Sequence, residues 1–594
     1  MPSASTANDI EMASSTDHKP ADVNMETIEA VSGHEPHNNG RDKAAQLLKG
    51  AGQSVVVSPE DNKRILRKID LAIMPIILVV YALQSLDKTA LSYASVFGLI
   101  DDTNLKGLEF SWLGAIVYVA QLVWQPLVAY FLVKFPLGKV RVLHPASAEL
   151  DSAPPWSFVG ASRYAVGHDQ YRSRDVGSSR PGMSAAHNFG GLMAARFILG
   201  SFEASVAPTF IALVQMWYRR SEQTNRNAAW YSMLGVVNIF GSLLSYGLAH
   251  IKSDVLHSYQ IIFLFCGCLT VAFSVVVFIF LPDSPMSARF LTTDDKLIAV
   301  ERLRMNQQGI ASGEWRWDHV KDCLLDVKTW LWVSLLTAIS IPSGGISTFG
   351  PLIVKSFGFD SFTTILFNMP FGAVQMVATI GGAIAATKYK AKSPILAILC
   401  IPPIIGISLL LNIEYTPKNR GLLLFAYYIT SVYPAISPLI YSWSGQNTAG
   451  DTKRKVTTGM LFIGASAGNI IGPNLYKPSE APHYTRGLRS NLALFCVIII
   501  LVGLGVAWIR GEIVVTAASR ILTDHLRTVL NRRHAAERVR MGKSAQVIDL
   551  SMESNKTLAK HDDAVNDGKT AVTVGDKAFD DVTDLRNEDF IYVY

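Results

Sequence analysis

Charged residues are scarce in this chain. Lys, Arg, Asp and Glu make up 17% of its 594 residues, against about a quarter in a soluble protein. The shortage lies in the middle, where apolar runs recur, while both ends are polar. That pattern excludes a soluble globular enzyme. Cysteine is scarce too: Cys266, Cys268, Cys323, Cys400 and Cys496 are too scattered for a disulfide framework. Cys266 and Cys268 sit in an apolar run with no His or carboxylate beside them, so they read as packing residues and not metal ligands. There is no phosphate loop, no metal-spaced cluster and no nucleophile–base set outside the apolar runs. Neither catalysis nor a bound metal or cofactor is expected. No apolar run follows the N-terminus closely, so no cleavable signal peptide is expected. The one glycosylation triplet, Asn555-Lys556-Thr557, lies in the polar C-terminal stretch and reads as a chance match.

What the chain does have is apolar runs of about 20 residues, the length that crosses a bilayer. The expected fold class is an all-α polytopic membrane protein. Five runs come first, at 71–94, 111–131, 188–217, 228–251 and 261–281. Six follow, at 330–354, 362–387, 395–413, 421–443, 457–476 and 492–509. Residues 282–328 between the groups hold seven Lys or Arg and eight Asp or Glu. They read as a solvated cytosolic linker carrying an amphipathic helix that starts at a Thr/Asp cap. The expected division is a disordered cytosolic tail at 1–68, an N-terminal half at 69–281, the linker, a C-terminal half at 329–510 and a polar cytosolic tail at 511–594.

The net charge of +6 calls for no nucleic-acid partner, because basic residues in short loops orient membrane helices. Lys63, Arg64, Arg67 and Lys68 put the N-terminus in the cytosol. Lys134, Lys139 and Arg141 mark a second cytosolic segment, and Arg219-Arg220, Lys388-to-Lys392 and Lys453-Arg454-Lys455 mark others. Lys477, Arg486 and Arg489 are an exception, on an outer loop. Parity fails once. Two basic loops flank the single run 188–217, so a crossing is missing between them. The segment 141–184 there has nine charged residues and four prolines, and its longest uncharged stretch is 11 residues. It cannot span a bilayer unaided.

Run 188–217 carries Arg196 and Glu203 well inside it. An ionisable group at that depth costs roughly 3 kcal/mol or more unless it faces a polar interior or a partner. Seven residues apart, the two share a helix face about 10 Å apart along the axis. Gly200 lies between them and lets a helix or ligand come close. A carboxylate cargo needs a fixed cation, and Arg196 offers one with a bidentate fork. Proton coupling needs a group whose proton affinity burial can move, and Glu203 is the candidate. The competing reading is that the pair braces its own helix. Asp87, beside Lys88 near the end of the first span, reads either as a local ion pair or as a second proton-coupling group. Pro342, Gly344 and Gly345 in IPSGGISTFGP make a regular helix improbable there and suggest a hinge beside a cavity. Asn368, Asn447 and Tyr427 are candidate substrate contacts, with interhelical bonding and packing as their alternative. The same holds for Gln375, Asn469, Tyr428 and Tyr433.

Several strings, in order, resemble one family. They are LDKTALSYASVFGL, SWLGAIVYVAQLVWQPL, AAHNFGGLMAARFILGSFEASVAP, MWYRRSEQ, LPDSPMSARFL, IPSGGISTFGPLIVKSFGF, NTAGDTKRK and GNIIGP, with FIYVY at the end. The chain resembles the major facilitator superfamily, in the fungal allantoate permease-like branch of the anion:cation symporters. The likeness covers about 70–140 and 185–510. It implies a 6+6 helix bundle with a site between pseudo-symmetric halves, here with the third helix replaced by the polar segment 141–184. A gene-model error such as a retained intron is the expected cause. The resemblance also implies proton-driven import of a small organic anion across the plasma membrane by a monomer, with both termini cytosolic and no cofactor but the proton gradient. The cargo class is a ureide such as allantoate or a carboxylate vitamin such as nicotinate, pantothenate or biotin. The alternative is a non-transporting nutrient sensor of the same fold, or a product inactivated by the lost helix.

Overall fold

The computed structural model describes residues 57–134, 189–510, 530–541 and 581–593, apart from 252–256, 309–311, 588–589 and a few single positions. The anomalous segment 141–184 and most of the N-terminal tail lie outside the described residues. Among those described, every regular element is a helix. The N-terminal half holds α1 (Pro59–Val96), α2 (Glu109–Lys134), α3 (Phe189–Glu203), α4 (Val206–Trp217), α5 (Arg220–Tyr231), α6 (Met233–Ala249) and α7 (Ser258–Phe280). The linker forms α8 (Thr293–Arg304) and α9 (Trp317–Leu325). The C-terminal half holds α10 (Val327–Ser356), α11 (Ser361–Leu366), α12 (Asn368–Lys388), α13 (Ser393–Asn412), α14 (Arg420–Thr430), α15 (Ile436–Gln446), α16 (Asp451–Asn474) and α17 (Thr485–Arg510). A further helix, α18 (Leu530–Arg540), follows.

Among the described residues, nine stretches are long and apolar enough to cross a membrane. With α7 and α16 they account for the eleven runs read from the sequence. Four spans each join two helices: α3 with α4, α5 with α6, α11 with α12, and α14 with α15. Outward-facing side chains such as Val123, Leu127, Phe240, Val377, Ile384 and Ile500 are exposed and apolar, as a lipid-facing surface requires.

The first helix begins earlier than expected. Ser58 Oγ accepts from the Asp61 amide at 3.0 Å, Pro59 occupies the first turn, and Glu60 and Asp61 add negative charge there. Residues 59–68 are therefore helix and not tail. Their basic side chains are also occupied: Arg64 and Lys68 both reach Asp295 of α8, at 2.6 and 2.5 Å. Helix α8 matches the expected amphipathic helix, with Asp295 N donating to Thr292 Oγ1. The linker is not solvated along its length, however. Arg302 is buried, with Nη2 on both oxygens of Glu222 at 2.7 and 2.8 Å and Nε on Asn62. The linker is a belt bound to both α1 and α5.

Helix α10 also departs from expectation. It runs unbroken for 30 residues through Pro342, Gly344, Gly345 and Pro351. Its glycines serve close packing. A Cβ on Gly345 would fall 2.4 Å from the Tyr476 ring, and one on Gly344 would meet Asn469 at 3.0 Å. Helix α16 answers with Gly464, Gly468 and Gly472 at four-residue spacing. A Cβ on Gly468 or Gly472 would lie 2.6 Å from Thr337 O or 2.3 Å from Ile341 O of α10. Small residues at this spacing let membrane helices touch through their backbones. The two halves meet in the same way at Gly235 of α6 and Gly372 of α12, each pressed on the other's carbonyl.

Contacts join the two halves at both ends of the bundle. At the linker end, Asn227 Nδ2 donates to Ser442 Oγ at 3.1 Å, and Gln446 Nε2 donates to Arg220 O. At the far end, Ser92 Oγ donates to Ser347 O at 2.7 Å. Phe362 there packs on Phe97, Tyr246 and His250 of the other half.

Candidate functional site

A cavity of about 170 Å³ lies between the halves and takes its walls from both. That is below the roughly 300–1,000 Å³ of sites for drug-sized ligands, so the space fits a small solute. Its lining is polar for a membrane interior. Gln84, Gln121, Gln125 and Asn238 face it from the first half, and Asn368, Gln375 and Asn469 from the second. Trp230 forms part of the wall, edge-on to Tyr81 at 4.7 Å and stacked on Tyr441 of the other half at 6.3 Å. Among the described residues, the charged groups lining it are Lys88 and Glu203. They form an ion pair, Nζ to Oε2, at 3.3 Å.

Glu203 stands at a break in its span. The run expected as one helix is two, α3 and α4, separated by Ala204 and Ser205. Pro208 is the cause. It has no N–H for the Ala204 carbonyl four residues back, and its ring crowds that oxygen. Gln125 Nε2 donates to the released Ala204 carbonyl at 3.0 Å, and beside it Gln84 Nε2 donates to Glu203 O at 3.3 Å. Irregular backbone at membrane depth is tolerated where such partners or a cavity meet it. The second half repeats the device. Its fourth span is interrupted between α14 and α15 by Tyr433-Pro434-Ala435, and Tyr433, Pro434 and Ser437 face the same cavity. Proline-interrupted spans at corresponding positions of two halves point to the binding site of a transporter.

Three residues singled out from the sequence meet at the cavity: Glu203, Asn368 and Tyr427, with Tyr427 Oη on Asn368 Oδ1 at 3.3 Å. Gln375, Asn469 and Tyr433 join them, and Gln375 accepts from Asn238 of the other half at 2.7 Å. Others lie elsewhere. Arg196 is buried behind the wall at 2% exposure and does not line the cavity. Glu203 and Asp87 are the acidic groups that act on it. Asp87 accepts from Thr270 Oγ1 of α7 at 3.2 Å, also behind the wall. Gly200 packs against Val117 of α2, where a Cβ would fall 2.4 Å from the Val117 carbonyl. Pro342, Gly344 and Gly345 sit in unbroken α10, and their neighbours Ser340, Ser343 and Ser347 face the cavity instead. Asn447 is at the linker end, paired with the main chain of Val593. Lys88 and the glutamines of α1 and α2 were not picked out as site residues. The paired prolines, Pro208 and Pro434, were the signal that leads to them.

The family model described as Major Facilitator Superfamily matches residues 179–473. An uncharacterised transporter of Schizosaccharomyces pombe is 32% identical over 77% of this chain and 81% of its own. The chain belongs to the major facilitator superfamily. Within it, a thiamine pathway transporter of Saccharomyces cerevisiae is 31% identical over 77% of this chain and 83% of its own. The allantoate permease of the same yeast is 25% identical over 78% and 82%. Among solved structures, the superfamily's proton:xylose symporter XylE superposes with a TM-score of 0.52 at 15% identity, over 73% of this chain and 95% of that one. That likeness bears on the fold alone. The protein is thus a multi-pass membrane transporter of this superfamily, similar to fungal members that include allantoate permease.

Proposed function

We propose that the protein imports a small organic anion together with protons. The observation that carries this reading is the Lys88–Glu203 ion pair, the charged content of an otherwise neutral, amide-lined cavity between the halves. In the empty cavity Lys88 is neutralised by Glu203. An incoming carboxylate competes for Lys88, because a buried ammonium needs one counter-charge. Glu203, displaced, is a carboxylate without a partner in a low-dielectric space and takes up a proton. The loaded cavity then holds Lys88 with the cargo and a neutral Glu203, the same net charge as the empty one, so the halves can close over either. Gln84, Gln121 and Gln125 supply donors and acceptors to a polar cargo body. A ureide such as allantoate, or a carboxylate vitamin such as nicotinate or pantothenate, has that chemistry, and the similarity to allantoate permease supports the class. Arg196 in this reading holds the charge balance behind the wall, between Glu203 and Asp87.

The basic loops put the linker end in the cytosol, with both termini, and we place the protein in the plasma membrane as a monomer. The test is uptake of labelled allantoate, nicotinate and pantothenate by cells lacking their own carriers, at external pH 5 and 7. Uptake of at least one, faster at pH 5, is expected. Lys88→Ala should reduce it at least a hundredfold with the protein still at the surface, and Lys88→Arg should retain part of it. Undiminished uptake by Lys88→Ala would sink the mechanism.

A further inference from the structure

The chain's C-terminal segment packs across the linker end of the bundle, and nothing in the transport reading uses it. We propose that residues 581–593 are a latch: docked, they hold the linker face shut, and that face opens only when they leave. The inference rests on the fold and not on the identity of the cargo.

The segment is neither helix nor strand, yet its described side chains are largely buried, with Asp584 and Phe590 at 0% exposure and Tyr592 at 2%. Its end reads as a strand pairing with a side chain. Val593 N donates to Asn447 Oδ1 at 2.7 Å while Asn447 Nδ2 donates back to Val593 O at 2.7 Å. Trp443 Nε1 donates to the same carbonyl at 3.0 Å. These residues end the fourth span of the C-terminal half. The N-terminal half is held by the same few residues. Arg220, at the start of α5, donates to Ile591 O at 2.8 Å and lies over the Phe590 ring at 4.9 Å. Arg220 donates as well to Gln446 O. One short segment therefore closes a circuit through α5 and α15, the elements that must part for this face to open.

Charge fixes its register. Asp584 sits between Lys328 of α10 and Lys453 of α16, each at 2.8 Å, and Tyr592 Oη donates back to Asp584. Lys328 also lies 3.9 Å over the Tyr592 ring. Asp326 is the other acid that these two lysines share, at 3.4 and 2.9 Å. Without Asp584 two ammonium groups face one carboxylate. Asp581 accepts from the Asp451 amide, and Arg586 reaches Asp318 and Asp322 of linker helix α9. Each of these polar pairs is one that water can replace, so the segment can leave without unfolding a helix.

The test needs no cargo. Ala207→Cys, on the cavity wall, is placed in a chain whose native cysteines are replaced by alanine. Inside-out vesicles expose the linker face to a membrane-impermeant maleimide. Deleting residues 581–594 should speed labelling severalfold, and a synthetic peptide of those residues should slow it again. Val593→Pro, which removes the N–H given to Asn447, and Asp584→Asn should each speed labelling in the full chain. Equal labelling of the deleted and full-length proteins, both present in the membrane, would overturn the latch. If the deletion fails to reach the membrane, unchanged labelling of both point variants would overturn it, and faster labelling would support it.

Discussion

Gly200 marks a place where a single methyl group is too much. With the Val117 carbonyl 2.4 Å from its would-be Cβ, Gly200→Ala must push α3 off α2. Overpacking of this kind costs roughly 1–3 kcal/mol, and thermal unfolding of the detergent-solubilised protein should show a clear fall in Tm. Unchanged Tm would mean the two helices separate freely. Asp581 gives a different residue-scale prediction. Burial, with the Asp451 carboxylate beside it, pushes its carboxyl up to about 6. A raised acid binds its proton more tightly when docked. Docking is then most favoured below the ordinary carboxylate value near 4 and weakens as pH rises through 6. Asp584 has the opposite sign. Burial would raise it, but Lys328 and Lys453 override this and hold it well below the usual range, so its contribution is lost only in strong acid. Burial and Arg316 drive His319 down to about 4, leaving it neutral above pH 5. His534, which contacts Phe590 O, is lowered by burial and opposes Asp581 as pH falls. The two separate by substitution. Relative to the parent, Asp581→Asn should retain its C-terminal segment better at pH 7 than at pH 5, and His534→Gln better at pH 5. Peptide rebinding to the deleted chain reads both.

At the scale of elements, the decisive event is the interruption of a span by one proline. Pro208→Ala restores a donor to the Ala204 carbonyl and frees Gln125 from it. The expected protein is at least as thermally stable as the parent, since an interior helical proline costs about 3 kcal/mol, yet transports poorly because Glu203 no longer stands at a break. Normal transport with raised Tm would show that the break is incidental. Much of the helical framework was legible in the sequence, because 20-residue apolar runs and basic loops are properties of composition. The breaks were not. A run such as 188–217 stays apolar through Ala204 and Ser205, so hydropathy passes over the interruption, and Pro208 signals it only when set beside Pro434. The error in α10 has the reverse cause. Pro342, Gly344 and Gly345 lower helix propensity, but packing against α16 and Tyr476 overrides it, and propensity is a weak prior inside a bundle.

At the scale of the molecule, the two ends close by different chemistry. The linker end is a network of buried amides, ion pairs and the C-terminal segment, while the far end adds aromatic contacts around Phe362 to the Ser92–Ser347 hydrogen bond. Phe362→Ala should therefore open the far end without touching the linker end. Labelling of Ala207→Cys by impermeant reagent from outside intact cells should rise, while labelling from the linker side in inside-out vesicles stays at the parent rate. Such an arrangement could not be read from one sequence. Arg196 attracted attention because a charge in an apolar run is conspicuous, but which wall it faces depends on how α3 rolls against α2. Lys88, near the end of an apolar run, left a local ion pair with Asp87 and a role in the pathway equally open. Only the fold brings its ammonium group to Glu203, from another span.

Trp230 holds a further consequence. Its indole forms part of the cavity wall, stacked on a tyrosine from the opposite half. Any solute that enters, and any separation of the halves, changes the polarity and quenching around that ring. Intrinsic fluorescence, compared with a Trp230→Phe control to subtract the ten other tryptophans, makes the purified transporter its own detector. Its cargo can be found by titrating unlabelled metabolites into a cuvette.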